Sequence, residues 1–133
     1  MIKKPSPAYA LSLCLLGCGL VASAAHAADS DWKRGRIYYR QVCTACHTAE
    51  LKKPIAPNDR TQAEWAAYLK ADKHGKGKDT VKHYFSSHYR DSIKAENAAA
   101  AKYANLPEKD LIEDVRAFLH KSAKDGDSPA GCS

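Results

Sequence analysis

Five consecutive residues, Cys43-Thr44-Ala45-Cys46-His47, restrict what this chain can be built around more than any other stretch. A C-x-x-C-H run is the pattern of covalent haem attachment: two thiols two residues apart reach two vinyl groups of one porphyrin, and the next imidazole is carried beneath the ring. On that reading Cys43 and Cys46 form thioethers to a single haem c, and His47 is the proximal iron ligand. The same run also admits half of a zinc site or a redox C-x-x-C on a βαβ unit. The zinc site needs two further ligands, and no second Cys pair follows the amino-terminal segment. The redox motif needs strands, and no strand pattern surrounds the run.

The amino-terminal segment agrees with haem attachment. Lys3 and Lys4 precede an apolar, small-residue run from Ala8 to Ala22, and Ala25-His26-Ala27 closes it. This reads as a secretory signal over residues 1–27 with an A-x-A cleavage site. Haem is attached to such runs outside the cytoplasm, so a periplasmic location is expected. The apolar run is shorter than the ~20 residues of a membrane span, so no transmembrane helix is expected in the mature chain. Leu15-Leu16-Gly17-Cys18 resembles a lipobox, and a lipid anchor at Cys18 is the minor alternative. Cleavage after Ala27 leaves material for one small domain, read as a haem domain over 28–122 and a flexible tail over 123–133. Cys132 stands alone in that tail, either free, capped or paired between molecules. Without the two lysines of the signal the net charge of +6 falls to +4, from interspersed charges of both signs. It suits docking to acidic protein partners or merely a soluble surface, and nothing in it argues for nucleic acid.

Helical patterning continues along the chain. Asp31 to Val42 reads as a helix capped by Asp29, Ser30 or Asp31, with Trp32, Ile37, Tyr38 and Tyr39 as its apolar content. Gly35 inside it costs up to ~1 kcal/mol relative to Ala, which predicts that another element passes closely there. Residues 52–59, with Pro54 and Pro57, read as a loop. Thr61-Gln62-Ala63-Glu64 is a capping box that opens a helix carrying Trp65, Tyr68 and Leu69 on one face. Val81, Tyr84, Phe85 and His88 fall at i, i+3, i+4 and i+7 of a further predicted helix, and residues 93–104 read as weakly helical. Pro107 and Glu108 open a last helix with Leu111, Ile112, Val115, Phe118 and Leu119 as its buried stripe. His120, just past that stripe, suits the carboxyl end of the helix dipole. The fold class expected is all-α.

With these residues in place, the chain resembles the class I c-type cytochromes, small all-α electron carriers with one haem. Gly35 and Tyr39 lie eight and four residues before Cys43, as the Gly and aromatic of that family's first helix do, and Phe118 matches the aromatic of its last. The resemblance implies a cytochrome c-like fold in which the N- and C-terminal helices cross at the Gly around one covalently bound haem. It also implies a proline carbonyl, Pro57 in preference to Pro54, that accepts a hydrogen bond from the proximal His. The middle of the chain carries no motif of the family.

The departure is at the far side of the iron. The family's usual Met ligand has no counterpart, because the one Met is Met1. His88, sharing a face with Val81, Tyr84 and Phe85, is the preferred distal iron ligand, His83 the second choice and His74 a third. A Lys, an Asn or no protein ligand remain open. Losing Met ligation predicts a lower potential. The implied function is one-electron transfer between a dehydrogenase and a reductase or oxidase, without enzyme activity of its own. The alternatives are an open haem that binds or reacts with NO, CO, O2 or peroxide, with His83 and Arg90 as distal groups, and a haem subunit of a larger periplasmic complex. Trp65 and Tyr68 read as core residues, and Arg60 as solvated.

Overall fold

The side chain of Asp31 accepts hydrogen bonds from the N–H groups of Lys33 and Arg34, two of the donors that a helix start leaves free. In the computed structural model, which describes residues 29–75 and 77–128, this cap opens α1 (Trp32–Tyr38). The helix runs on without a break into a π-helical turn, Tyr39–Cys43. There follow α2 (Ala45–Leu51), a 3-10 turn (Pro57–Asp59), α3 (Gln62–Ala71), a second 3-10 turn (Lys82–Phe85), α4 (Ser87–Ile93), α5 (Ala98–Lys102) and α6 (Glu108–Ser122). No strand occurs among the described residues, so the architecture is all-α as expected. No helix among them is long and apolar enough to cross a membrane. The signal segment, Cys18 and Cys132 lie outside the described residues.

α1 and α6 form the centre of the packing. Gly35 is buried against the backbone of α6: a Cβ there would collide with the Asp114 carbonyl and lie 2.8 Å from the Val115 nitrogen. The close approach predicted from a glycine inside a helix is therefore present. Asp114, fully buried, is matched at the same crossing. It accepts a hydrogen bond from the Asp31 backbone N–H at 2.6 Å and forms an ion pair with Arg34. The hydrogen bond that the Arg34 side chain donates to Asp114 raises the already high Arg34 pKa. A buried carboxylate needs such partners to offset its desolvation.

Of the predicted α6 stripe, Leu111, Val115, Phe118 and Leu119 are buried in the core, each contributing about 1.5–3 kcal/mol by removal from water, while Ile112 is half-buried against it. Aromatic rings fill the space around it. Tyr38 stacks on Phe85 at 5.6 Å, and Tyr39 lies 5.6 Å from Phe118 and edge-on to Trp65 at 6.0 Å.

The Thr61 capping box forms as written. The Thr61 hydroxyl accepts from the Glu64 N–H at 3.2 Å, and the Glu64 carboxylate accepts from the Thr61 N–H at 2.7 Å. Those bonds from Thr61 hold the Glu64 carboxylate below its usual value. A depressed folded pKa contributes stability that is present above the unfolded value of ~4.3 and is lost as pH falls through the lower folded value. Glu64→Ala is accordingly expected to lower the urea midpoint at neutral pH, with the gap to wild type narrowing as the solution is acidified. A gap that stays constant down to about pH 3 would show that the carboxylate charge contributes nothing.

Two segments differ from expectation. The predicted continuous helix through Val81 and His88 is interrupted at Ser86, which is extended (φ −62°, ψ 147°) and caps α4 by accepting from the Tyr89 N–H. Residues 123–128, expected to be part of a flexible tail, fold back onto the body. Ala123 is buried, Lys124 donates to the Arg60 carbonyl at 2.9 Å, and Asp125 accepts from the Gln62 N–H at 2.7 Å. Asp125 thereby serves one of the free donors at the start of α3.

Candidate functional site

Tyr39, Val42, Cys43, Cys46, His47 and Glu50 follow one another at helical spacing, and all six line one wall of a cavity of about 740 Å3. The wall is continuous because the π-helical turn delivers the chain into α2 without a change of face. Thr44 donates to the Tyr39 carbonyl at 3.0 Å, an i→i−5 bond, and its hydroxyl donates to the Arg40 carbonyl at 2.9 Å. Single π-turns inside helices are frequent at functional sites, where they re-aim side chains. Here the turn ends on Cys43, so both thiols and His47 open onto the same space.

The opposite walls are apolar. α3 supplies Trp65, Tyr68 and Leu69, the second 3-10 turn with its flanking Val81 supplies Tyr84 and Phe85, and α6 supplies Val115 and Leu119 as the floor. Hydrogen bonds hold the surrounding loop in place. Tyr39 donates its hydroxyl to the Ile55 carbonyl at 2.9 Å, and Trp65 donates its indole N–H to the Pro57 carbonyl at 2.6 Å. The Pro57 carbonyl, expected to hold the proximal His, is thus a partner of Trp65. Arg60, expected to be solvated, lines the cavity edge with its guanidinium 5.5 Å from the ring centroids of both Trp65 and Tyr68.

The electrostatics separate the chemical options. Burial pushes the Cys43 thiol up to about 12, so it stays a neutral thiol at physiological pH. A redox C-x-x-C depends on the reverse, a lowered thiol pKa, and on a strand context that is missing among the described residues. Burial, then the neighbouring His74, lowers the His47 pKa and favours the neutral imidazole, which is the form that binds metals. Among the described residues no three His, Cys, Asp or Glu side chains converge to hold a metal ion, so the two further ligands a zinc site requires are not gathered here. What remains is an apolar cavity with two thiols and two imidazoles on its edge.

The second imidazole belongs to His74. No protein-family model, curated protein or solved structure matches this chain. The site therefore stands on its own geometry. His74 lines the cavity with its ring centroid 5.6 Å from that of His47. His88 does not line it: the break at Ser86 turns α4, and His88 lies exposed on its outer side. His83 is half-buried against Tyr84 and Tyr89, 3.8 Å from Asp79, and also outside the cavity. Arg90 is buried in the core, where it donates to the Tyr103 carbonyl at 2.8 Å, and it does not reach the cavity as a distal group would. His120 is exposed in the last turn of α6, its carbonyl accepting from the Gln62 side chain.

Sequence patterning ranked His74 only third among the distal candidates and set Arg60 aside as solvated, yet both line the cavity. His74 sits in a loop, where periodicity carries no information, and its only signal is the pair of glycines that follow it. Arg60 precedes a capping box and looks like an ordinary solvated cation until the fold lays it over two rings.

Proposed function

We propose that this chain is an exported one-electron carrier of cytochrome c-like fold, holding one covalent haem c through Cys43 and Cys46, with His47 as proximal ligand. The observation that carries the reading is the shared wall: both thiols and the adjacent imidazole open onto one apolar cavity, whose volume lies in the range that takes a whole small-molecule cofactor. The bound group supplies a metal centre that changes oxidation state by one electron. The chain's contribution is to keep that centre dry and its surroundings fixed. Trp65, Phe85, Val115 and Leu119 exclude water, and the Tyr39–Ile55 and Trp65–Pro57 hydrogen bonds hold the loop against the walls. A low dielectric and few movable groups keep reorganisation small on gaining or losing an electron. Partners on this reading are a dehydrogenase and a reductase or oxidase on the periplasmic side.

Expression with a working cytochrome c maturation system, followed by intact and peptide mass spectrometry, tests the proposal. The expected product is coloured, begins after Ala27, and carries the haem mass on the peptide that holds Cys43 and Cys46. A colourless product with both thiols unmodified would end the reading.

A further inference from the structure

We infer that His74 is the second axial ligand of the iron and that Gly77 and Tyr84 form the seat that aims its ring. The inference rests on the haem reading above and names the group that closes the far side of the same site.

Three observations converge on His74. Its ring lies 5.6 Å from that of His47 between centroids with a tilt of 35°, within about 1 Å of the ~6 Å that bonds of ~2.0 Å from one metal ion to an imidazole nitrogen on each side would set. Its Nδ1 is buried and has no hydrogen-bond partner among the described residues. Buried polar nitrogens are almost always paired, and leaving one unpaired costs about 1–3 kcal/mol, so a role as a hydrogen-bonded core histidine does not account for this ring. Third, the ring is held by packing. A Cβ added to Gly77 would collide with His74 Nδ1 and come within 2.8 Å of its Cγ, so the glycine backbone lies directly against that edge. The Tyr84 ring sits 5.5 Å from the His74 ring, and Tyr84 is itself anchored where its carbonyl accepts from the Tyr38 hydroxyl at 2.5 Å.

The competing donors are less well placed. His88 is exposed on α4 and His83 packs among Tyr84, Tyr89 and Asp79, both away from the cavity. Lys78 lines the cavity but is exposed, and its ammonium must lose a proton before it can bind iron. Two imidazoles on one iron leave no vacant position, which favours electron transfer over binding of a small ligand, and the absence of a thioether ligand lowers the potential relative to a Met/His centre.

The test uses the purified ferric holoprotein, read by optical and EPR spectroscopy, with His74→Ala, Gly77→Ala, Lys78→Ala, His83→Ala and His88→Ala compared at equal helix content by circular dichroism. Wild type is expected to be low-spin with two-imidazole g values. His74→Ala is expected to lose that signal, either to high-spin iron that added imidazole returns to low spin or to a different low-spin signal. Gly77→Ala is expected to shift part of the population the same way, whereas the Lys78, His83 and His88 variants keep the wild-type spectrum. Should His74→Ala fail to mature, His74→Met replaces it and is expected to raise the midpoint potential. Unchanged g values in His74→Ala, an unchanged potential in His74→Met, or a high-spin wild type with covalent haem would each overturn the assignment while leaving the haem reading intact. An unaltered spectrum in Gly77→Ala overturns the seat. A protein without covalent haem overturns the haem reading itself, and this inference with it.

Discussion

Gly35→Ala is expected to destabilise the fold by about 3 kcal/mol or more, a large part of the ~5–15 kcal/mol that holds a small domain together. The added methyl meets the Asp114 carbonyl and the Val115 nitrogen, which are main-chain atoms in the middle of α6 and cannot rotate aside as a flexible side chain would. To admit it, α1 and α6 must separate. That separation opens the contacts of Tyr38 and Leu111 and pulls Arg34 and the Asp31 N–H away from the buried Asp114 carboxylate. Alanine's better helix propensity returns at most ~1 kcal/mol. The measurement is the urea midpoint of the purified protein, and a variant within about 0.5 kcal/mol of wild type would mean that the helices do not meet at this residue.

The second large effect follows from the two thiols. Replacing both Cys43 and Cys46 with Ala is expected to abolish covalent haem altogether, leaving a protein from which acid and organic solvent extract any residual pigment. On the proposed haem reading a loss of stability should accompany it, because a cavity of about 740 Å3 lined by Tyr39, Val42, Trp65, Phe85, Val115 and Leu119 would then lack the group proposed to fill it. Single variants are expected to retain haem on the remaining thioether, since on the proposed reading each thiol would make a separate bond. Comparison of extractable and protein-bound pigment on denaturing gels reads the result. Pigment that stays bound after both substitutions would place the attachment elsewhere.

Much of the fold can be read locally. The α6 stripe, the Thr61–Glu64 capping box and the Asp31 cap are each written in fewer than sixteen neighbouring residues, and the physics that forms them acts over the same short range. Gly35 was legible for a related reason: a glycine inside a helix has a local cost, and close packing by another element accounts for it. The placement of His88 was not legible, because its assignment to an apolar face needs an unbroken helix from Val81 onward. Ser86-Ser87 offers a strong helix start in the middle of that run, and the cap prevails over the periodicity. The backward fold of residues 123–128 was equally hidden, since it depends on donors of α3 that lie some sixty positions away.

The sequence alone pointed to an all-α fold and to another element meeting α1 at Gly35, because helical periodicity and the local cost of a glycine inside a helix are both written in neighbouring residues. Tertiary structure alone decided which residues face Cys43, Cys46 and His47 across the cavity. His74, Arg60 and Tyr84 come from loops and turns whose course is set by packing against distant helices, and no local pattern encodes where such segments return.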